Sequence, residues 1–170
     1  MNALERILCT CGLLIAAALT AVSSVSAQGP AALAASALAV CAQADRLTGE
    51  ARWTRLSEGL ALAENAVKED SYSAQAHFAV FCNLGKQSRE TSVFHQALVV
   101  RRLRAELDAA VALAPDDPDI LTAKGAFLIE LPPFLGGDAE QGRALLRAVV
   151  AKDPNNRAAQ QYLTRAETGY

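Results

Sequence analysis

The sequence is poor in aromatic residues, at 5% of 170 positions, and holds one methionine, one tryptophan and two histidines. Val, Ile and Thr runs alternating at period two are scarce, whereas alanine is abundant, so closely packed helices are favoured over a sheet. Neither sign of charge dominates: 16 basic against 18 acidic side chains give a net charge of -2. A charge so balanced gives no electrostatic reason to expect nucleic acid or an anionic membrane surface as partner. There is no Gly-x-Ser-x-Gly elbow, no glycine loop followed by Lys-Ser or Lys-Thr, and no pair of acids in an aromatic setting. Those absences remove the linear signatures of serine hydrolases, P-loop NTPases and glycosidases. His77 and His95 lack the Cys, Asp or Glu neighbours of a metal site, so each is expected to pack or cap rather than ligate or catalyse. No enzyme, metal or cofactor is expected.

What is present is apolar surface in quantity: 52% of the side chains are hydrophobic and 20% charged. That suits one well-buried domain. The first residues form a separate segment, in which Arg6 precedes an apolar run over 7–22 and small residues lead to Val25-Ser26-Ala27. This is the anatomy of a secretory signal, with cleavage expected after Ala27 and a mature domain over 28–170. The run is about 16 residues, short of the roughly 20 that span a bilayer, which disfavours a retained anchor. Cys9 and Cys11 sit at the start of the run and Cys41 well beyond it, so lipidation is disfavoured too. The protein is expected to be exported, periplasmic or secreted. In that setting Cys41 and Cys82 either form a disulfide or remain two small buried side chains.

Helical periodicity organises the remainder. A first helix is expected over 30–47 with Leu33, Ala37, Val40, Cys41 and Ala44 on one stripe. A second runs over about 52–69, with Leu56, Leu60, Ala63 and Val67 inward. A third runs from near Ser73 to Gly85, burying Ala76, Val80, Phe81 and Leu84. A fourth over about 92–113 presents Leu98, Leu103, Leu107, Ala110 and Val111. Pro115 ends it. Asp117 before Pro118 then supplies an N-cap and a first-turn proline for a fifth helix reaching about 131. Pro132 and Pro133 forbid continuation, Gly136 and Gly137 permit a tight reversal, and Asp138 with Gln141 makes a capping-box pattern. A sixth helix to about 151 and a seventh from Asn156 to about 167 complete the series.

Seven helices without strands prompt a search for repeats. "AENAVKEDSYSAQAHF", "LDAAVALAPDDPDILTAKG" and "LRAVVAKDPNNRAAQQYL" share apolar residues at helical spacing, an acidic or proline turn, and a capped restart. Their turns fall at Ser71, Pro115 and Pro154, further apart than the standard unit of about 34 residues. The second and third segments resemble the junctions of tetratricopeptide repeats. Ala110 and Pro115, then Val149 and Pro154, fall where that family has a small residue and a proline, and Gly125 matches its small helix-A residue. The first unit departs from the pattern, with Ser71 in place of proline; the large aromatic that usually starts helix A is His77 in the second unit and Leu121 in the third. The resemblance implies an all-α, right-handed solenoid of about seven antiparallel helices.

"ELPPFLGGDAEQG" is similar to the linker of divergent exported tetratricopeptide-like proteins, including the T-component of some TRAP-type transporters. It implies a structural connector, Pro132, Pro133, Phe134, Gly136, Gly137 and Asp138, with Phe134 and Leu135 inserted between neighbouring helices as an apolar plug. A phosphate cradle there is disfavoured, since no strand precedes the glycines and Asp138 would repel an anion.

Lys86, Arg89, Arg101, Arg102 and Arg104 could form a basic strip for carboxylates. The alternative is a solvated face on which Arg102–Glu106 and Arg104–Asp108 pair along the helix. In the resembling family helix A lines the concave face, which makes Asn83, Gln87 and Lys124, with Arg101 of the strip, the polar candidates for contact. The expected function is an exported, non-enzymatic scaffold that binds a protein or peptide on that face. The alternative is a small-solute-binding accessory subunit of a TRAP-type transporter.

Overall fold

The computed structural model describes residues 29–168, apart from the side chains of residues 93–97. The expected signal segment and its cleavage after Ala27 lie outside the described residues, as does the side chain of His95. Among the described residues seven α-helices follow one another: α1 Pro30–Gln43, α2 Gly49–Glu69, α3 Ala74–Ser88, α4 Val93–Leu113, α5 Pro118–Glu130, α6 Ala139–Lys152 and α7 Arg157–Thr168. Short 3-10 turns occupy Ala44–Arg46 and Pro133–Leu135. The described residues are thus all-helical, without a strand, and none of their helices is long and apolar enough to cross a membrane.

Local side-chain chemistry sets most helix starts. The Ser73 hydroxyl accepts from Ala76 N–H, Asp117 Oδ1 from both Asp119 and Ile120 N–H, and Asn156 Oδ1 from Ala159 N–H. Each occupies donors that the first turn of a helix leaves without a partner. Asp138 accepts from Gln141 N–H, but its own N–H donates to the Leu128 carbonyl, so the expected capping box is used in one direction only. α1 stops sooner than its periodicity suggests. Its last turn tightens at Ala44–Arg46, and Gly49, at φ +57, starts α2 three residues earlier than expected.

The abundance of alanine has a packing reason. Ala34, Ala66 and Ala76 are fully buried together, as are Ala37, Ala63 and Ala79 beside Val80, so α1, α2 and α3 approach closely and share one interior. Gly59 makes that approach closer still, since a Cβ there would overlap the Asn83 carboxamide and lie 2.8 Å from Val40 Cγ1. Cys41 and Cys82 are joined in a disulfide, Cα atoms 6.2 Å apart, which ties α1 to α3. α5 and α6 cross just as tightly at Gly125 and Gly142, where a Cβ on Gly142 would come within 2.6 Å of the Gly125 carbonyl oxygen.

Between α4 and α5 the construction changes. The hairpins α1–α2, α3–α4 and α5–α6 are each packed along their lengths and α2 lies along α3, but α4 meets α5 only sparsely. Large side chains hold the two hairpins α3–α4 and α5–α6 apart here: Leu84, Leu103, Leu107, Ile120 and Phe127 form the core. Leu98, expected inward, is 64% exposed. The buried stripe of α4 runs through Leu103, Leu107 and Ala110, three and four residues apart, and its continuation toward the helix start misses position 98.

Candidate binding groove

The gap left by bulky spacers is a groove of about 450 Å³. α3 supplies one wall through Phe78, Phe81 and Gly85, and α5 the other through Ala123, Ala126 and Phe127. Val100 and Leu103 of α4 form the floor, and Tyr162 of α7 closes one side. Its α5 wall runs from Asp119 to Glu130, about 16 Å at about 1.5 Å per residue. Phe81 and Phe127 meet edge to face with centroids 5.5 Å apart, and Phe78 stacks beside Phe81 at 6.3 Å. Edge-to-face contact places the positive ring edge on a negative ring face, which fixes both aromatic walls.

Two of the hydroxyls lining the groove, those of Ser88 and Thr122, are already engaged. Ser88 Oγ donates to the Gly85 carbonyl at 2.9 Å and Thr122 Oγ1 to the Pro118 carbonyl at 2.6 Å. Both bonds stay within their own helix, so neither group is left seeking a ligand donor or acceptor. Apart from Asp119 at the start of α5, the charged lining residues gather at the end where α3 and α5 finish. Lys86 Nζ binds the Asp45 carboxylate at 2.7 Å and the Cys41 carbonyl at 2.9 Å, and Arg89 pairs with Glu130 across the mouth. That last pair is mostly exposed and adds little stability. Among the described residues there is no group of His, Cys, Asp and Glu able to hold a metal ion.

The polar residues expected to contact a partner do not converge on this groove. Asn83 is fully buried, its Nδ2 donating to the carbonyls of Ala37 at 3.0 Å and Ala79 at 2.9 Å. It is therefore an interior strut between α3 and α1, and its assignment as a contact residue is corrected. Gln87 is half-buried and donates to Ser57 Oγ at 2.7 Å, Lys124 is ion-paired with Asp108, and Arg101 is exposed on α4. The basic strip is dispersed. Arg102 pairs with Glu64 and, at 3.7 Å, with Glu106, while Arg104 turns away from Asp108 and donates to the Leu135 and Gly136 carbonyls at 2.9 and 2.8 Å. His77 ties elements together, with Nδ1 2.7 Å from Glu106 on α4 and Nε2 3.1 Å from the Ser71 carbonyl.

The linker also departs from expectation. Gly136 adopts φ +83, and Gly137 is needed because a Cβ would overlap the Leu131 carbonyl. Pro132, Pro133 and Asp138 behave as a helix stop and restart, with the Pro132 carbonyl accepting from both Leu135 and Gly137 N–H. Phe134, however, is 86% exposed and plugs nothing, while Leu135 is half-buried. The two prolines and the Arg104 contacts turn the ring outward. No protein-family model matches the chain, and no curated protein matches its sequence.

Proposed function

We propose that this chain is an exported, non-enzymatic scaffold, a tetratricopeptide-like right-handed stack of helix pairs that holds an apolar segment of another protein in the groove between its second and third pairs. The groove carries this reading. It is mainly aromatic and aliphatic, the Ser88 and Thr122 hydroxyls are satisfied within their own helices, and Lys86, Arg89 and Glu130 are ion-paired at one end, so the favourable occupant is apolar side chains whose burial releases water. The order of the helices supports the solenoid, since each hairpin packs as a unit and α1 lies beside α3 as successive first helices do. The Cys41–Cys82 bond supports export, because such cross-links persist in oxidising compartments.

Selection from a random peptide library on the purified chain tests the proposal. The recovered sequences are expected to carry apolar residues at spacings that line one face, and Ala123→Trp, which fills the groove from the α5 wall, to weaken them by about thirtyfold. Val100→Trp fills it from the floor and separates an effect on the site from an effect on folding. Peptides that bind equally well to both variants would place the site elsewhere.

A second reading, a small-solute accessory subunit of a transporter, draws on the groove volume, which falls within the roughly 300–1,000 Å³ of small-ligand sites. A single apolar compound retained through purification, released on denaturation and lost with Ala123→Trp, would favour it.

A further inference from the structure

Of the charged side chains that line the groove, three are already paired. Lys86 meets Asp45 and Arg89 meets Glu130, so the charges at the end where α5 finishes cancel. Asp119 stands at the opposite end, in the first turn of α5. Its carboxylate makes no ion pair and accepts no hydrogen bond among the described residues. The groove therefore carries one uncompensated negative charge, at a known end.

The acids beside Asp119 are employed by the fold. Asp116 pairs with Lys152, and Asp117 caps α5 by accepting from the N–H groups of Asp119 and Ile120. Asp119 is thus not needed to start the helix. The helix dipole favours an acid in this turn, but at an exposed site that effect is small and leaves the carboxylate without a partner. A second acceptor lines the same groove: the half-buried Tyr162 hydroxyl has no hydrogen bond among the described residues. Arg165 lies over the Tyr162 ring at 5.6 Å and does not pair with Asp119.

We propose that the apolar segment held by the groove carries a lysine or arginine at one end, and that this cation pairs with Asp119. The proposal rests on the groove being a site for a protein segment, and adds the segment's charge and direction. Such a side chain suits the lining, since its apolar stem can lie along aromatic surface such as Phe78 and Tyr162 while its head reaches the carboxylate. Complementary charge of this kind fixes orientation and partner choice more than affinity. The apolar residues supply the attraction; Asp119 decides which way round they enter.

The test uses the random peptide library on three forms of the disulfide-bonded chain: wild type, Asp119→Lys and Asp119→Glu. Peptides recovered on wild type and on Asp119→Glu are expected to place a basic residue at one end of the apolar pattern, and those recovered on Asp119→Lys an acidic one. The strongest wild-type peptide should bind Asp119→Asn about fivefold more weakly, the scale of one exposed ion pair, and the difference should shrink as salt is raised. Replacing its basic residue with glutamine should weaken binding to wild type but not to Asp119→Asn. Peptides that bind in an Ala123-sensitive way without a preferred basic residue, or whose basic residue matters equally on both proteins, overturn the assignment to Asp119 and leave the groove as a site. Absence of any Ala123-sensitive peptide removes the groove reading itself.

Discussion

Gly59→Ala should lower the stability of the chain by about 3 kcal/mol, the combined scale of overpacking a tight core and displacing a buried polar group. A Cβ at this position collides with the Asn83 carboxamide and with Val40, and neither can yield. Asn83 is fully buried and fixed by its bonds to Ala37 and Ala79, on two different helices. Rotating the amide aside strands its N–H groups away from water, and moving α2 opens the alanine interfaces on either side. Asn83→Ala alone should cost about 2 kcal/mol through a lost hydrogen bond and a small cavity. The double variant should cost less than the sum, since the vacated volume receives the new methyl group. Urea denaturation followed by the single tryptophan, Trp53, measures all three, and strict additivity would mean that the two sites do not touch.

Breaking the Cys41–Cys82 bond should have an effect of similar or greater size. The bond closes a loop with a sequence separation of 41 and constrains the unfolded chain by about 4 kcal/mol in the chain-entropy description. The expected consequence is a melting temperature lower by about 10 °C for Cys82→Ala. Cys82 is the position to change, because Cys41 is fully buried and its replacement adds a packing penalty. Wild type melted in reducing agent should match Cys82→Ala within about 1 kcal/mol, the scale of losing one small apolar contact. A reduced wild type that melts like the oxidised one would show that α1 and α3 are held by their alanine faces alone.

What the sequence discloses here is chemistry that acts within a few residues. Asp117 before Pro118, Asp138 before Gln141 and Asn156 before Ala159 are caps whose partners lie two or three positions away, so the turns could be located. The buried stripe of α4 was legible from Leu103 onward for the same reason. Contacts between distant segments were not. Asn83 looked like a polar surface residue, and only the approach of α1 to α3 makes it interior, 46 positions from its acceptor at Ala37. The resemblance of its linker implied that Phe134 is a plug, but the loop that carries it is shaped by Pro132, Gly136 and an arginine 32 positions before that glycine. The groove itself depends on spacers such as Leu107 and Phe127 keeping α4 from α5, a property of how two hairpins meet. One signal was available: Phe78 and Phe81 stand one helical turn apart in a chain with few aromatics.

The measurement that bears most directly on the groove as a binding site is position-resolved photo-crosslinking in the cells that make the protein. A benzophenone amino acid at Ala123, in the groove wall, is compared with one at Glu58, on the exposed face of α2. The account predicts a single dominant adduct from position 123 and none from position 58. Equal adducts from both positions, or none from 123 while 58 captures a partner, would contradict it.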